Sequence, residues 1–161
     1  MIDTTTISPL QHLISPSSTM HIGLVVPNLD RAMECYERLF GWKWTSTVRV
    51  RHELEGPCAT QEELYIAFAT GSPLVELIED RPGSVWTAAS GQFHHLGCWV
   101  TDLDEAGAVL MNAGFEFRAR GRRAGTRRFA YAMFADPDGL LVEIQDARFE
   151  QGWRSWLDGA R

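Results

Sequence analysis

Cysteine is scarce in this chain: three in 161 residues, Cys35, Cys58 and Cys98, with no CxxC spacing. An odd count without paired spacing argues against a disulfide framework and against a thiolate zinc site. Cys35 and Cys98 fall in apolar-periodic segments and read as core thiols. A reducing, cytoplasmic setting is the expectation. Basic charge is also short. Fifteen Lys and Arg stand against 21 Asp and Glu, a net charge of −6, which argues against a nucleic-acid partner. No apolar run approaches the roughly 18 residues of a membrane span, so no membrane partner is expected. The first twenty residues lack the basic start and continuous apolar core of a secretory signal. They read as a flexible or loosely docked arm.

What the chain does have is a repeat of itself. HIGLVVPNLDRA at 21–32 matches HLGCWVTDLDEA at 95–106, with six of twelve positions identical. LVELIE at 74–79 matches LVEIQD at 141–146, in the same order within each half. Each half opens on an apolar strand, near 21–26 and 95–100. A helix follows. Leu29, Ala32, Met33, Tyr36 and Leu39 recur at helical spacing in the first half, and Leu103, Ala106, Leu110 and Ala113 in the second. Asn28 and Asp102 suit N-caps; Gly41 and Gly114 suit helix ends. Three strands then follow in each half, expected near 43–50, 63–69 and 73–79, and near 115–119, 127–134 and 139–145. Asp136-Pro-Asp-Gly139 is a turn signal between the last two.

The fold class expected is α+β: two βαβββ modules, at 20–80 and 93–146. An arm at 1–19, a linker at 81–92 and a tail at 147–161 complete the organisation. One module alone is too small to cover both faces of its sheet, so the two are expected to pair. Their sheets would curl into a curved, incomplete barrel around a shared cavity.

His21 and His95 hold the same place in the two opening strands. Glu76 and Glu143 hold the same place in the two closing strands. A lone strand histidine is usually structural, and a lone edge glutamate usually solvated. A carboxylate inside an apolar run, however, needs a partner. Two imidazoles and two carboxylates recurring in register suit one divalent first-row metal, with positions left open for water or substrate.

These segments, together with His94-His95 and the Asp136-Pro-Asp-Gly turn running into Val142-Glu143, resemble the vicinal oxygen chelate superfamily across residues 20–146. The resemblance implies paired βαβββ modules and a metal at His21, Glu76, His95 and Glu143. The metal would be nickel, cobalt, zinc, manganese or magnesium, with iron ranked behind. The ligand set is similar to that of glyoxalase I and of methylmalonyl-CoA epimerases, which share enolate chemistry. It implies a lyase or isomerase in which Glu143 or Glu76 removes a proton alpha to a chelated carbonyl. The alternatives of other classes are a non-catalytic small-molecule binding or resistance protein and an extradiol-type dioxygenase. Fold likeness alone does not decide among them. A small, anionic substrate and a homodimer complete the expectation.

His94 is expected to face the other way along its strand, in a supporting or structural role. Arg118, Arg120, Arg122, Arg123, Arg127 and Arg128 crowd one stretch, read as a loop. They form either a solvated basic surface or a clamp for an anionic substrate, with Arg122, Arg123 and Arg127 its candidates. Trp42, Trp44, Trp86 and Trp99 fit core packing. Trp153 and Trp156 fit a short helix covering either this domain or a partner subunit.

Overall fold

A computed structural model describes residues 10–57, 61–87 and 93–160. Cys58, residues 1–9 of the arm and residues 88–92 of the linker lie outside them. The first half runs β1 (His21–Val26), α1 (Leu29–Phe40), β2 (Val48–Glu55), β3 (Gln61–Phe68) and β4 (Val75–Glu79). The second half repeats the order: β5 (Phe93–Val100), α2 (Leu103–Asn112), β6 (Glu116–Arg123), β7 (Tyr131–Ala135) and β8 (Leu141–Asp146). A third helix, α3 (Glu150–Gly159), forms the tail.

The helices start and stop where their cap residues dictate. The Asn28 side chain accepts from the Arg31 amide at α1, and Asp102 accepts from the Glu105 amide at α2. Gly41 ends α1 at φ 70°, a left-handed conformation that glycine adopts without a Cβ clash.

Strands follow the order β1-β4-β3-β2-β6-β7-β8-β5 and close on themselves. The incomplete barrel expected from sequence is therefore a closed one. Two antiparallel seams join the halves. One pairs β1 with β5, and the other pairs β2 with β6 from His52–Arg123 to Glu55–Arg120. The second seam explains two shifted strands. β6 continues to Arg123 because β2 gives it a partner, so the arginine stretch expected as a loop is half strand. β2 begins only at Val48. Trp42 and Trp44 instead pack with Tyr36 and Phe40 of α1, and only a single bridge joins Trp44 to Ala69.

Val25, Leu54, Leu64, Ile78, Trp86, Tyr131 and Met133 pack inside the barrel. α2 packs outside over Cys98, Val100, Phe134 and Ile144, where Leu10, Leu13 and Ile14 of the arm join it. That portion of the arm is docked: Ile14 bridges Val100, and the Thr101 amide donates to the Leu13 carbonyl at 2.8 Å. Among the described residues, no helix is long and apolar enough to cross a membrane.

Candidate metal centre and cavity

Side chains alternate across a strand, so every second residue of β1, β4, β5 and β8 points into the barrel. Register does the rest. Gly23 of β1 lies between Glu76 of β4 and His95 of β5. Gly97 of β5 lies between His21 of β1 and Glu143 of β8. Two rows thus run across the four strands, Glu76-Gly23-His95 and His21-Gly97-Glu143. Each histidine ring lies over the glycine of the other half. A Cβ on Gly23 would stand 1.9 Å from His95 Cε1, and one on Gly97 would stand 1.9 Å from His21 Cε1. The repeated His-x-Gly motif is thus a fitted pair: each half supplies a ring and the space for its counterpart.

The four side chains are all buried, and one ligand atom from each falls within 4.8 Å of the others. His21 Nε2 lies 3.1 Å from His95 Nε2, 3.5 Å from Glu76 Oε2 and 3.3 Å from Glu143 Oε2. His95 Nε2 lies 3.5 Å and 3.7 Å from the same two oxygens. Ligand bonds of about 2.1 Å set polyhedron edges of roughly 3.0–3.4 Å. The donor spacing and the nitrogen–oxygen donor set both fit one divalent ion. The electrostatics point the same way. Burial by itself would hold His21 neutral, but the two adjoining carboxylates overcome it and raise the imidazole pKa to about 10. Burial likewise opposes charge on Glu76, yet both histidines bring it down to about 2. The cluster is built to hold positive charge at its centre.

His94 supports one member of the cluster. Its Nε2 lies 2.8 Å from the Val85 carbonyl, and its Nδ1 lies 2.9 Å from His95 Nδ1. A carbonyl only accepts, so His94 Nε2 carries the proton and His94 Nδ1 accepts one from His95. That network assigns the tautomer of His95 and leaves its Nε2 lone pair directed at the cluster. Burial and the neighbouring His95 lower the His94 pKa to about 4, which keeps it neutral in this role.

Glu76 and Glu143 open onto a cavity of about 700 Å³. Its walls are mostly apolar and aromatic, including Leu64, Ile66, Phe68, Trp86, Trp99 and Ile78. α3 closes one side: Trp153 packs edge-on to Phe68 at 5.4 Å and beside Trp99 at 5.5 Å, and Trp156 stands 5.8 Å from Phe68. The tail therefore covers its own barrel.

Strand alternation separates the arginines that the sequence grouped. Arg120 and Arg122 face outward across the β2–β6 seam. Arg120 pairs with Glu55 at 3.0 Å, while Arg122 pairs with Glu53 at 2.9 Å and Glu55 at 3.2 Å. Arg127 lines a different, more polar cleft beside Asp102, Asp104 and Asp146. Arg123, on the inward parity, lines the main cavity.

Sequence reasoning missed two cavity residues, His52 and Tyr131. His52 Nδ1 lies 2.7 Å from the Tyr131 hydroxyl. Burial first, with Arg123 adding to it, lowers the His52 pKa; Glu143 and Glu76 act in the opposite sense. A signal did exist. In VRVRHELE, at 48–55, His52 is the one polar residue on the parity of Val48, Val50 and Leu54.

The chain is thus a closed barrel of duplicated βαβββ modules, with two His and two Glu at duplicated positions that could hold a metal ion. The sequence profile of the Glyoxalase/Bleomycin resistance protein/Dioxygenase superfamily matches residues 20–131, and the chain belongs to that family. No curated protein matches the chain. Among solved structures it resembles methylmalonyl-CoA epimerase from Mycobacterium tuberculosis, at 22% identity and TM-score 0.51, covering 78% of this chain and 85% of that one. It also resembles a Streptomyces coelicolor methylmalonyl-CoA epimerase variant in complex with 2-nitronate-propionyl-CoA, at 19% identity and TM-score 0.52, covering 82% and 94%. A hypothetical protein from Bacillus halodurans matches at 19% identity and TM-score 0.55, covering 81% and 94%. At these identities the likeness is one of fold.

Proposed function

We propose that this protein is a metal-dependent lyase or isomerase that removes a proton alpha to a carbonyl and returns it by way of an enolate. One observation carries the reading: both carboxylates of the four-residue cluster also line the cavity, so the same groups reach metal and substrate. A divalent ion held by His21, Glu76, His95 and Glu143 would act as a Lewis acid on the substrate carbonyl. The residues supply the remaining parts. Glu143 or Glu76 accepts the alpha proton from the cavity side and delivers it to the new position. His94 fixes the ring of His95. The tryptophans of α3 and Trp86 shut water from the enolate, and Arg123 attracts an anionic substrate group.

The test is alpha-proton exchange in deuterated water by the metal-loaded chain, read by NMR across a panel of acyl-CoAs and hemithioacetals. Methylmalonyl-CoA belongs on it because two neighbours of this fold are epimerases for that compound by name. Exchange that needs the metal and disappears in Glu143→Gln or Glu76→Gln supports the reading. Stoichiometric metal without exchange on any member, combined with oxygen uptake by the ferrous form, replaces it with a dioxygenase.

A further inference from the structure

The cavity has a second polar end, of which the chemistry above uses only Arg123. Met133 stands opposite Glu143 in the β7–β8 ladder, and Tyr131 stands opposite Gln145. Two residues along a strand span roughly 7 Å, and residues two apart share a face. Tyr131 thus projects into the same interior as Glu143, one step further along. His52 meets its hydroxyl from β2, and Arg123 is the direct partner of His52 across the seam. All three line the cavity.

This end is built rather than incidental. A Cβ on Gly121 would lie 2.2 Å from Tyr131 Cζ, so a glycine in mid-strand is what admits the phenol. Arg49 and Arg51, also on the cavity lining, are both paired with Glu63, but no carboxylate lies within salt-bridge range of Arg123 among the described residues. Three further polar atoms of cavity-lining residues, Gln145 Oε1 and the indole nitrogens of Trp86 and Trp99, are buried without a hydrogen-bond partner among the described residues.

We propose that His52, Tyr131 and Arg123 bind a carboxylate, so that the ligand is a compact molecule with an aromatic or flat apolar middle. Its enolisable carbonyl would lie at the Glu76–Glu143 end and its carboxylate roughly 7 Å away. The proposal rests on the enolate reading for the carbonyl end alone. Arg123 supplies the charge. Neutral His52 and Tyr131 form a donor–acceptor chain that directs an N–H or O–H at the anion. The aromatic walls match the flat middle.

The probe is 4-acetylbenzoate, which carries a methyl ketone and a carboxylate across one ring. The comparison compound, 4-methylacetophenone, lacks only the anion. Binding to the full chain is followed by tryptophan fluorescence, with and without cobalt, and cobalt loading is read separately by visible absorption. Wild type should bind the carboxylate at least tenfold more tightly than the neutral ketone. Arg123→Gln, His52→Gln and Tyr131→Phe should each remove most of that preference, leaving cobalt uptake and affinity for the neutral ketone unchanged. Equal affinity of wild type for the two probes overturns the proposal, even if the variants fail to fold. So does a preference that survives in folded Arg123→Gln and His52→Gln proteins. Failure of the enolate reading looks different: cobalt is not taken up stoichiometrically, or no alpha exchange occurs, while the carboxylate preference remains.

Discussion

A methyl group added at Gly23 would land on the imidazole of His95, and one at Gly97 on that of His21. Gly23→Ala should therefore displace a ring belonging to the opposite half. We expect a loss of about 1–3 kcal/mol of stability, the range for overpacking a closed core, together with a weakened metal site. Denaturant melts and cobalt titration check it, and a variant that keeps wild-type affinity refutes the row geometry. His94 acts at the next remove. His94→Phe removes the acceptor that fixes the tautomer of His95, and metal affinity should fall about 10- to 100-fold with the fold kept. Competition with a chromophoric chelator measures it; unchanged affinity would make His94 a packing residue only. The convergence of His21, Glu76, His95 and Glu143 was open to reading because duplication brought them into register. His52 was not. Its strand was expected to end at residue 50, so its parity with Val48 and Val50 went unread, and only the β2–β6 seam shows it facing Tyr131. Arg122 looked identical to Arg123 in sequence; a seam partner and one step of strand parity divide them.

At the scale of the element, α3 is held by a buried acid. Glu150 accepts from Ser15 and Ser17 at 3.0 Å each and pairs with Arg154 at 2.6 Å. Arg154 reaches on to Thr19 at 2.6 Å. The helix is thereby tied to the segment leading into β1, the strand of His21. Glu150→Ala would leave both hydroxyls and the guanidinium without this partner. We expect a cost of about 1–3 kcal/mol, moderated because Arg154 is partly exposed, and a faster tryptophan quench by acrylamide as Trp153 and Trp156 loosen. An unaltered melting temperature and quench rate would show the tie to be idle. Most elements were visible as apolar periodicity and cap residues. The shifted ends of β2 and β6 were not, because strand length there is set by a partner far away in sequence.

Over the whole molecule, the cluster couples the two halves to proton concentration and, with an ion bound, would couple them to metal. The His21 pKa stands at about 10, above its ordinary 6.5, so its ion pairing stabilises the metal-free fold fully below pH 6.5. That stabilisation is lost as pH rises through about 10. The Glu76 pKa stands at about 2, below its ordinary 4.5, and its share is present above pH 4.5 and lost as pH falls through about 2. Both describe one shared interaction. Zinc must displace the His21 proton, so its binding should release about one proton near neutral pH and tighten as pH rises. The zinc-induced rise in melting temperature should therefore grow from pH 6.5 to 9, and calorimetry in two buffers should detect the proton. A constant increment with no proton release would contradict a metal seated among these four groups.

The duplicated halves would make a site with two equivalent sides, but α3 comes from outside the repeat and packs on Phe68 of the first half and Trp99 of the second. Glu76 has Phe68, which carries the cap, as its ladder partner, whereas Glu143 has Met133. A planar intermediate held between them shows each of its prochiral faces to a different carboxylate. Under the enolate reading, handedness of the product would then depend in part on a ten-residue helix that the duplication itself never contained.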